Sequence, residues 1–138
     1  MILLAIDYGT KRTGLAITDE LEIIASPLKA VAGGGAGIGE IRKVVAERGV
    51  QLVVVGMPLN MDGSVGPAGK AVQAFVEKLR AELPVPVETF DERLTTAQAE
   101  RSMLMHDLSR AKRAGRRDEM AAQIMLQCCV DARKKGRR

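Results

Sequence analysis

Aromatic side chains are nearly missing from this chain of 138 residues: there is no tryptophan, one tyrosine (Tyr8) and two phenylalanines (Phe75, Phe90). Its core must be built from Val, Ile, Leu, Met and Ala, and it has no row of rings on which successive nucleobases would stack. Cys128 and Cys129 are the only cysteines, and they are adjacent. Neighbours in a helix point in different directions, so a disulfide framework and a cysteine zinc site are both excluded within one chain. That usage suits a reducing, cytoplasmic compartment. No apolar run approaches the roughly 18 residues of a membrane span, so no membrane partner is expected. The opening MILLAI also lacks the basic start and small-residue cleavage site of a secretory signal.

What is present is ordinary in amount and uneven in arrangement. The hydrophobic content is 46%, normal for a globular protein. A chain of this length is expected to form one domain over residues 1–138 and to bury roughly two-thirds of its unfolded surface. Net charge is +4. Residues 106–117 and 132–138 together carry ten basic residues and one acid, leaving 11 basic against 16 acidic residues elsewhere. A mildly acidic body with two basic segments is the charge layout of a nucleic-acid binder, although a solvated loop and a solubilising tail would look the same.

Periodicity gives the architecture. ILLAID reads as a buried strand, GTKRTG as a turn, and LAITDE and EIIASPLKAV as two further short strands, together an antiparallel meander. AGGGAGIG (residues 32–39) reads as a loose glycine-rich linker. Ile38, Ile41, Val44 and Val45 then recur at helical spacing. QLVVVG has the unbroken apolar character of a parallel strand buried on both faces. A loop, MPLNMDGSVGPAG, leads to a second amphipathic helix marked by Val72, Phe75, Val76 and Leu79. VETF is a further strand. Thr95 with Gln98 forms a capping box for a third helix, and Ala121, Ile124, Met125 and Cys128 stripe a final one. Met103, Met105, Met120 and Met125 read as core filler. The order β-β-β-α-β-α-β-α-α predicts an α/β fold, a mixed sheet of antiparallel and parallel strands flanked by helices.

Acids stand at strategic points of that order. Asp7 ends the first strand with no local cation. Asp91 and Glu92 end the last strand, on opposite faces, so at most one of them meets Asp7. Asp118 precedes Ala121 and Ala122 by one turn and projects from the packing side of the final helix. Strand carboxyl ends form the ligand crevice of an open sheet, and converging acids there would repel and protonate unless a cation joined them. Carboxylates suit Mg²⁺ or Mn²⁺, and two such ions about 4 Å apart can activate water and stabilise the leaving oxygen in phosphodiester hydrolysis. Each acid taken singly reads first as an ordinary strand end or helix cap.

Other groups surround this candidate centre. Asn60 and Ser64 lie on the loop after a central strand, where they can bind phosphate or sugar or simply make a turn. Lys11, Arg12 and Arg93 sit beside acids and can hold phosphates or pair with carboxylates. Arg110, Lys112, Arg113, Arg116 and Arg117 form a basic loop. His106, the only histidine, reads as a surface residue. Asp-x-Gly-Thr also opens the phosphate loops of actin-like ATPases, but those enzymes need two lobes. GSVGPAGKA misses the P-loop, because Gly63 stands six residues before Gly69 and Ala71 replaces the metal-binding hydroxyl.

Four stretches, DYGTKRTGLAITD (7–19), VVVGMPLNMDGSVG (53–66), DERLTTAQAE (91–100) and RDEMAAQIMLQ (117–127), resemble in this order the YqgF family of bacterial RNase H-like nucleases. The resemblance spans nearly the whole chain. It implies an RNase H-like fold with a five-stranded sheet, and a cytoplasmic nuclease using Mg²⁺ or Mn²⁺. It also implies Asp7, Glu92 and Asp118 as catalytic acids and metal ligands, with Asp91 and Glu119 as neighbouring alternatives. Two substrates follow from it: precursor 16S rRNA, trimmed at its 5′ end, which is favoured here, and the four-way Holliday junction, whose symmetric cutting requires a dimer. A monomer or homodimer is expected. A binding protein without catalysis is the remaining reading.

Overall fold

The computed structural model describes residues 1–95 and 117–136. Its elements are β1 (Leu3–Asp7), β2 (Arg12–Thr18), β3 (Ala25–Ala32), a short 3-10 turn (Gly34–Gly37), α1 (Ile38–Glu47), β4 (Leu52–Met57), α2 (Pro67–Glu82), β5 (Val87–Asp91), a second 3-10 turn (Glu92–Leu94) and a long helix, α3 (Arg117–Gly136). The five strands form one sheet in the order β3-β2-β1-β4-β5. β1 pairs antiparallel with β2, and β2 with β3. β1 and β4 are parallel, as are β4 and β5. This is the mixed sheet read from the sequence. The helix expected from Thr95 and Gln98, together with Met103, Met105 and His106, lies outside the described residues.

The central strand explains the layers. Leu3, Leu4, Ala5 and Ile6 are all fully buried, because a strand with neighbours on both sides and helices on both faces has no wet side. Alternation then sorts the side chains. Leu4 and Ile6, with Leu15, Val53 and Val55, pack against Ile38, Ile41, Val44, Val72, Phe75 and Leu79 of α1 and α2. Leu3 and Ala5, with Ala16, Leu52 and Val54, pack against Ala122, Met125, Leu126, Cys129 and Val130 of α3. By the same alternation Asp7 belongs to the α3 face. Tyr8 goes the other way, and its ring centroid lies 4.6 Å from that of Phe75. Asp7 is thus held between a strand and a residue anchored in the opposite core.

α3 is fastened at a distance from its first turn. The Gln127 side chain accepts from the Ala25 amide (2.9 Å), and the buried Gln123 side chain donates to the Ala25 carbonyl (3.1 Å). Further along, Arg133 pairs with Glu22, which is only 3% exposed. These bonds set where α3 lies along the sheet, and so where it presents Asp118.

The glycine-rich stretch corrects an expectation. It is not a loose linker. The Gly33 amide donates to the Lys11 carbonyl and the Gly34 amide to the Gly9 carbonyl, both at 3.0 Å. A Cβ on Gly33 would stand 2.5 Å from the Gly9 carbonyl oxygen. The segment is a packed brace beneath the turn that follows Asp7, and its glycines allow the close backbone approach. Composition alone reports freedom of the chain, not the partners that remove it. β2 also begins earlier than the turn reading implied, at Arg12, so that Thr13 and Gly14 are strand residues.

Candidate active site

Asp7 ends β1 in the middle of the sheet, and both strands beside it are bare where they pass it. Its partner on β2 is Gly14. On β4, Ile6 pairs with Val55, and the next residue is Gly56. Each glycine makes room for another acid. A Cβ on Gly14 would lie 2.0 Å from the carbonyl oxygen of Asp118, so the first turn of α3 rests on the β2 backbone itself. A Cβ on Gly56 would lie 2.7 Å from Glu92 Oε1 and 2.6 Å from Met125 Sδ, so the Glu92 side chain folds back over β4. The residues before these two glycines gave no hint of this role. The available signal was glycine inside a strand pattern, which marks close approach of another group.

The acids feel one another. The Asp7 carboxyl is pushed up to about 6, first by burial, then by the charge of Glu92, then by that of Asp118. Glu92 is also raised, by burial and then by Asp91. Asp91 behaves oppositely. The Arg93 guanidinium grips it with bonds of 2.8–3.1 Å, and the Arg93 amide adds another at 2.9 Å, so its carboxyl is held below the usual range. The chain turns after β5, Asp91 is captured by its own neighbour, and Glu92 faces Asp7. At the other ambiguous pair, it is Asp118 that acts on Asp7. A pocket of about 290 Å³ opens here, lined by Asp7, Glu92, Thr95, Ala121, Ile124 and Met125.

The donors are hard carboxylate oxygens, the set that suits Mg²⁺ or Mn²⁺ rather than a thiolate- or imidazole-seeking metal. Asp7 and Glu92 face the pocket. The Asp118 carboxylate is paired instead with Arg12, Nε to Oδ2 at 3.1 Å. Accordingly, no three potential ligands stand at metal-binding spacing among the described residues. The donor chemistry and the mutual repulsion of Asp7 and its neighbours fit a cation.

The groups expected to touch nucleic acid divide three ways. Lys11 is exposed on the turn after β1. Arg12 is occupied by Asp118 and Arg93 by Asp91. Asn60 and Ser64 serve their own loop: Asn60 Nδ2 donates to Ser64 Oγ (2.9 Å), which donates to Asp62 Oδ1 (2.6 Å). Arg93 reaches the Met61 carbonyl at 3.3 Å and ties that loop to the end of β5. Arg117 opens α3, while Arg110, Lys112, Arg113 and Arg116 lie outside the described residues.

A family model described as RuvX, Holliday junction resolvase, matches residues 1–132. The chain belongs to the RuvX (YqgF) family. Its curated relatives in this family include a "Putative pre-16S rRNA nuclease" of Geobacillus kaustophilus, 42% identical over 135 residues and covering 95% of this chain and 98% of the relative. A protein of the same name from Chloroflexus aggregans is 44% identical over 134 residues, covering 96% and 94%. Among solved structures, RuvC of Thermus thermophilus in complex with a Holliday junction substrate superposes with a TM-score of 0.59 at 17% identity, covering 97% of this chain and 96% of that one. The fowlpox virus Holliday junction resolvase gives 0.58 at 12% identity, covering 96% and 99%. These structures share the RNase H-like fold with this RuvX-family chain. With the family comes the enzyme class, a hydrolase of phosphodiester bonds.

Gly56→Ala tests how the family scaffold seats Glu92. The groups in the way are ends of flexible side chains, which can shift. The melting temperature is expected to fall by only a few degrees, while cleavage falls about tenfold because Glu92 is displaced. Thermal melts beside a cleavage assay check it.

Proposed function

We propose that this RuvX-family chain is a divalent-metal-dependent nuclease of the cytoplasm that processes the 5′ end of precursor 16S rRNA, with Asp7, Glu92 and Asp118 as its catalytic acids. The observation that carries the reading is the crowding of charge at the end of β1, where the half-buried Asp7 lies beside two other carboxylates and is pushed up to about 6. Such repulsion opposes folding unless the site serves a cation. Mg²⁺ or Mn²⁺ would supply a water made nucleophilic and positive charge against the leaving oxygen. Asp7 and Glu92 would hold the ion and Asp118 would complete its shell. Lys11 and the basic residues between 110 and 117 bind backbone phosphates. With three aromatic residues in the chain, the substrate is read by its charge and folded shape. The names of the curated relatives favour RNA.

A second reading has its own support, since the family description names the Holliday junction. Symmetric cleavage of a junction needs two active sites, hence two copies of the chain. One experiment separates these readings. The protein is incubated with a precursor 16S 5′ fragment and with a four-way junction, with Mn²⁺ and with a chelator. The expected result is cleavage of the RNA alone, abolished by chelation. Paired symmetric cuts in the junction by a dimer would favour the second reading, and no cleavage of either under any divalent ion would overturn both.

A further inference from the structure

Among the described residues, Asp118 is the one of the three acids whose side chain is engaged by a cation, Arg12. Both ends of this pair are rooted in fixed backbone. Asp118 is pressed against Gly14, and Arg12 opens β2 directly after the turn braced by Gly33 and Gly34. Any change must therefore come from side-chain rotation. The pair also sits at the rim: the Arg12 side chain is 69% exposed and that of Asp118 33%. An ion pair this open is weak. A phosphodiester offers the same guanidinium a planar, charge-assisted alternative.

We propose that Arg12 is a latch on Asp118, holding its carboxylate at the rim in the free protein and releasing it when a backbone phosphate of the incoming strand takes the guanidinium, so that nucleic acid and divalent cation bind cooperatively. The proposal rests on the reading of Asp7, Glu92 and Asp118 as ligands of the ion. It accounts for why carboxylates that act on one another do not stand at metal-binding spacing among the described residues. By linkage the effect is reciprocal: the strand tightens the ion by the same factor as the ion tightens the strand. A pair of this exposure sets the factor at about fivefold.

The test is calorimetric titration of Mn²⁺ into the wild type, Arg12→Gln and Asp7→Asn, each with and without a phosphorothioate-linked RNA hairpin that keeps its charge and resists hydrolysis, after subtraction of Mn²⁺ binding to the hairpin alone. In the wild type the hairpin is expected to tighten Mn²⁺ about fivefold. Arg12→Gln without the hairpin should bind Mn²⁺ more tightly than the wild type without it, and the hairpin should tighten Mn²⁺ less in the variant than in the wild type, by the same factor. An unchanged Mn²⁺ affinity in Arg12→Gln, as a plain phosphate contact would give, overturns the latch. So does a hairpin effect as large in Arg12→Gln as in the wild type, as a simple field effect of its charge or a phosphate oxygen on the ion would give. Arg12→Met, without a polar head, repeats the measurement should the glutamine itself bind Asp118. Asp7→Asn reports separately: if it binds Mn²⁺ like the wild type, the acids are not the metal site, whatever Arg12 does.

Discussion

Asp7→Asn is expected to lower cleavage by at least about a thousandfold and, at neutral pH, to make the protein more stable. The loss of activity follows from the proposed role of Asp7, since asparagine removes the carboxylate charge while leaving its shape, and a thousandfold corresponds to about 4 kcal/mol of transition-state stabilisation. The gain in stability follows from the electrostatics. A carboxyl with an ordinary value of 3.8 that is pushed up to about 6 in the folded protein binds its proton more tightly when folded. Stability is then fully present below about pH 3.8, falls as pH rises through about 6, and stays reduced above it. The difference corresponds to about 3 kcal/mol, and to less in a pocket open to water. Asparagine carries no charge and escapes the penalty. Thermal melts at pH 7.5 should show the variant several degrees above the wild type, with the gap closing near pH 4. A variant that melts lower than the wild type at pH 7.5 would contradict the repulsion inferred for the site.

Gly14→Ala should do comparable damage without touching a reacting group. The added carbon would meet the Asp118 carbonyl oxygen at 2.0 Å, its carbonyl carbon at 2.3 Å and the Glu119 nitrogen at 2.9 Å. All three are backbone atoms, so no rotamer change relieves the contact and the first turn of α3 has to lift. The expected cost is about 3 kcal/mol, at the upper end for overpacking, and cleavage should fall about a hundredfold because Asp118 moves with that turn. Denaturant unfolding and a single-turnover assay check the pair of effects. The contrast with Gly56→Ala is informative: contacts of 2.0–2.9 Å against backbone are severe, while those of 2.6 and 2.7 Å against Met125 Sδ and Glu92 Oε1 are mild.

The order of elements was legible because hydrophobic period is a local signal. The switch from alternating and continuous apolar runs to the 3.6-residue stripe of Ile38, Ile41, Val44 and Val45 locates the change from meander to helix, and β4 is found where its run of valines lies, whereas β3 starts only at Ala25, after Ile23 and Ile24. The proposed site was legible in part. Asp7 and Asp118 could be placed at element ends, but choosing between Asp91 and Glu92 required knowing that Arg93 folds back on Asp91, a geometric fact with no periodic trace. The glycine stretch 33–37 was misread because its constraint comes from Gly9 and Lys11, more than 20 residues earlier. Asn60 and Ser64 bond to their own loop, an outcome their sequence left open beside phosphate binding.

The glutamines that tether α3 to Ala25 turn the five-residue step from Asp118 to Gln123 into a ruler. Each residue of a helix advances 1.5 Å and rotates the chain by about 100°. Exchanging side chains along that interval leaves the spacing intact. Adding or deleting a single residue would swing the carboxylate a quarter-turn or more off the sheet while the tether stayed bonded. Within this stretch the count of residues is constrained more tightly than their identity.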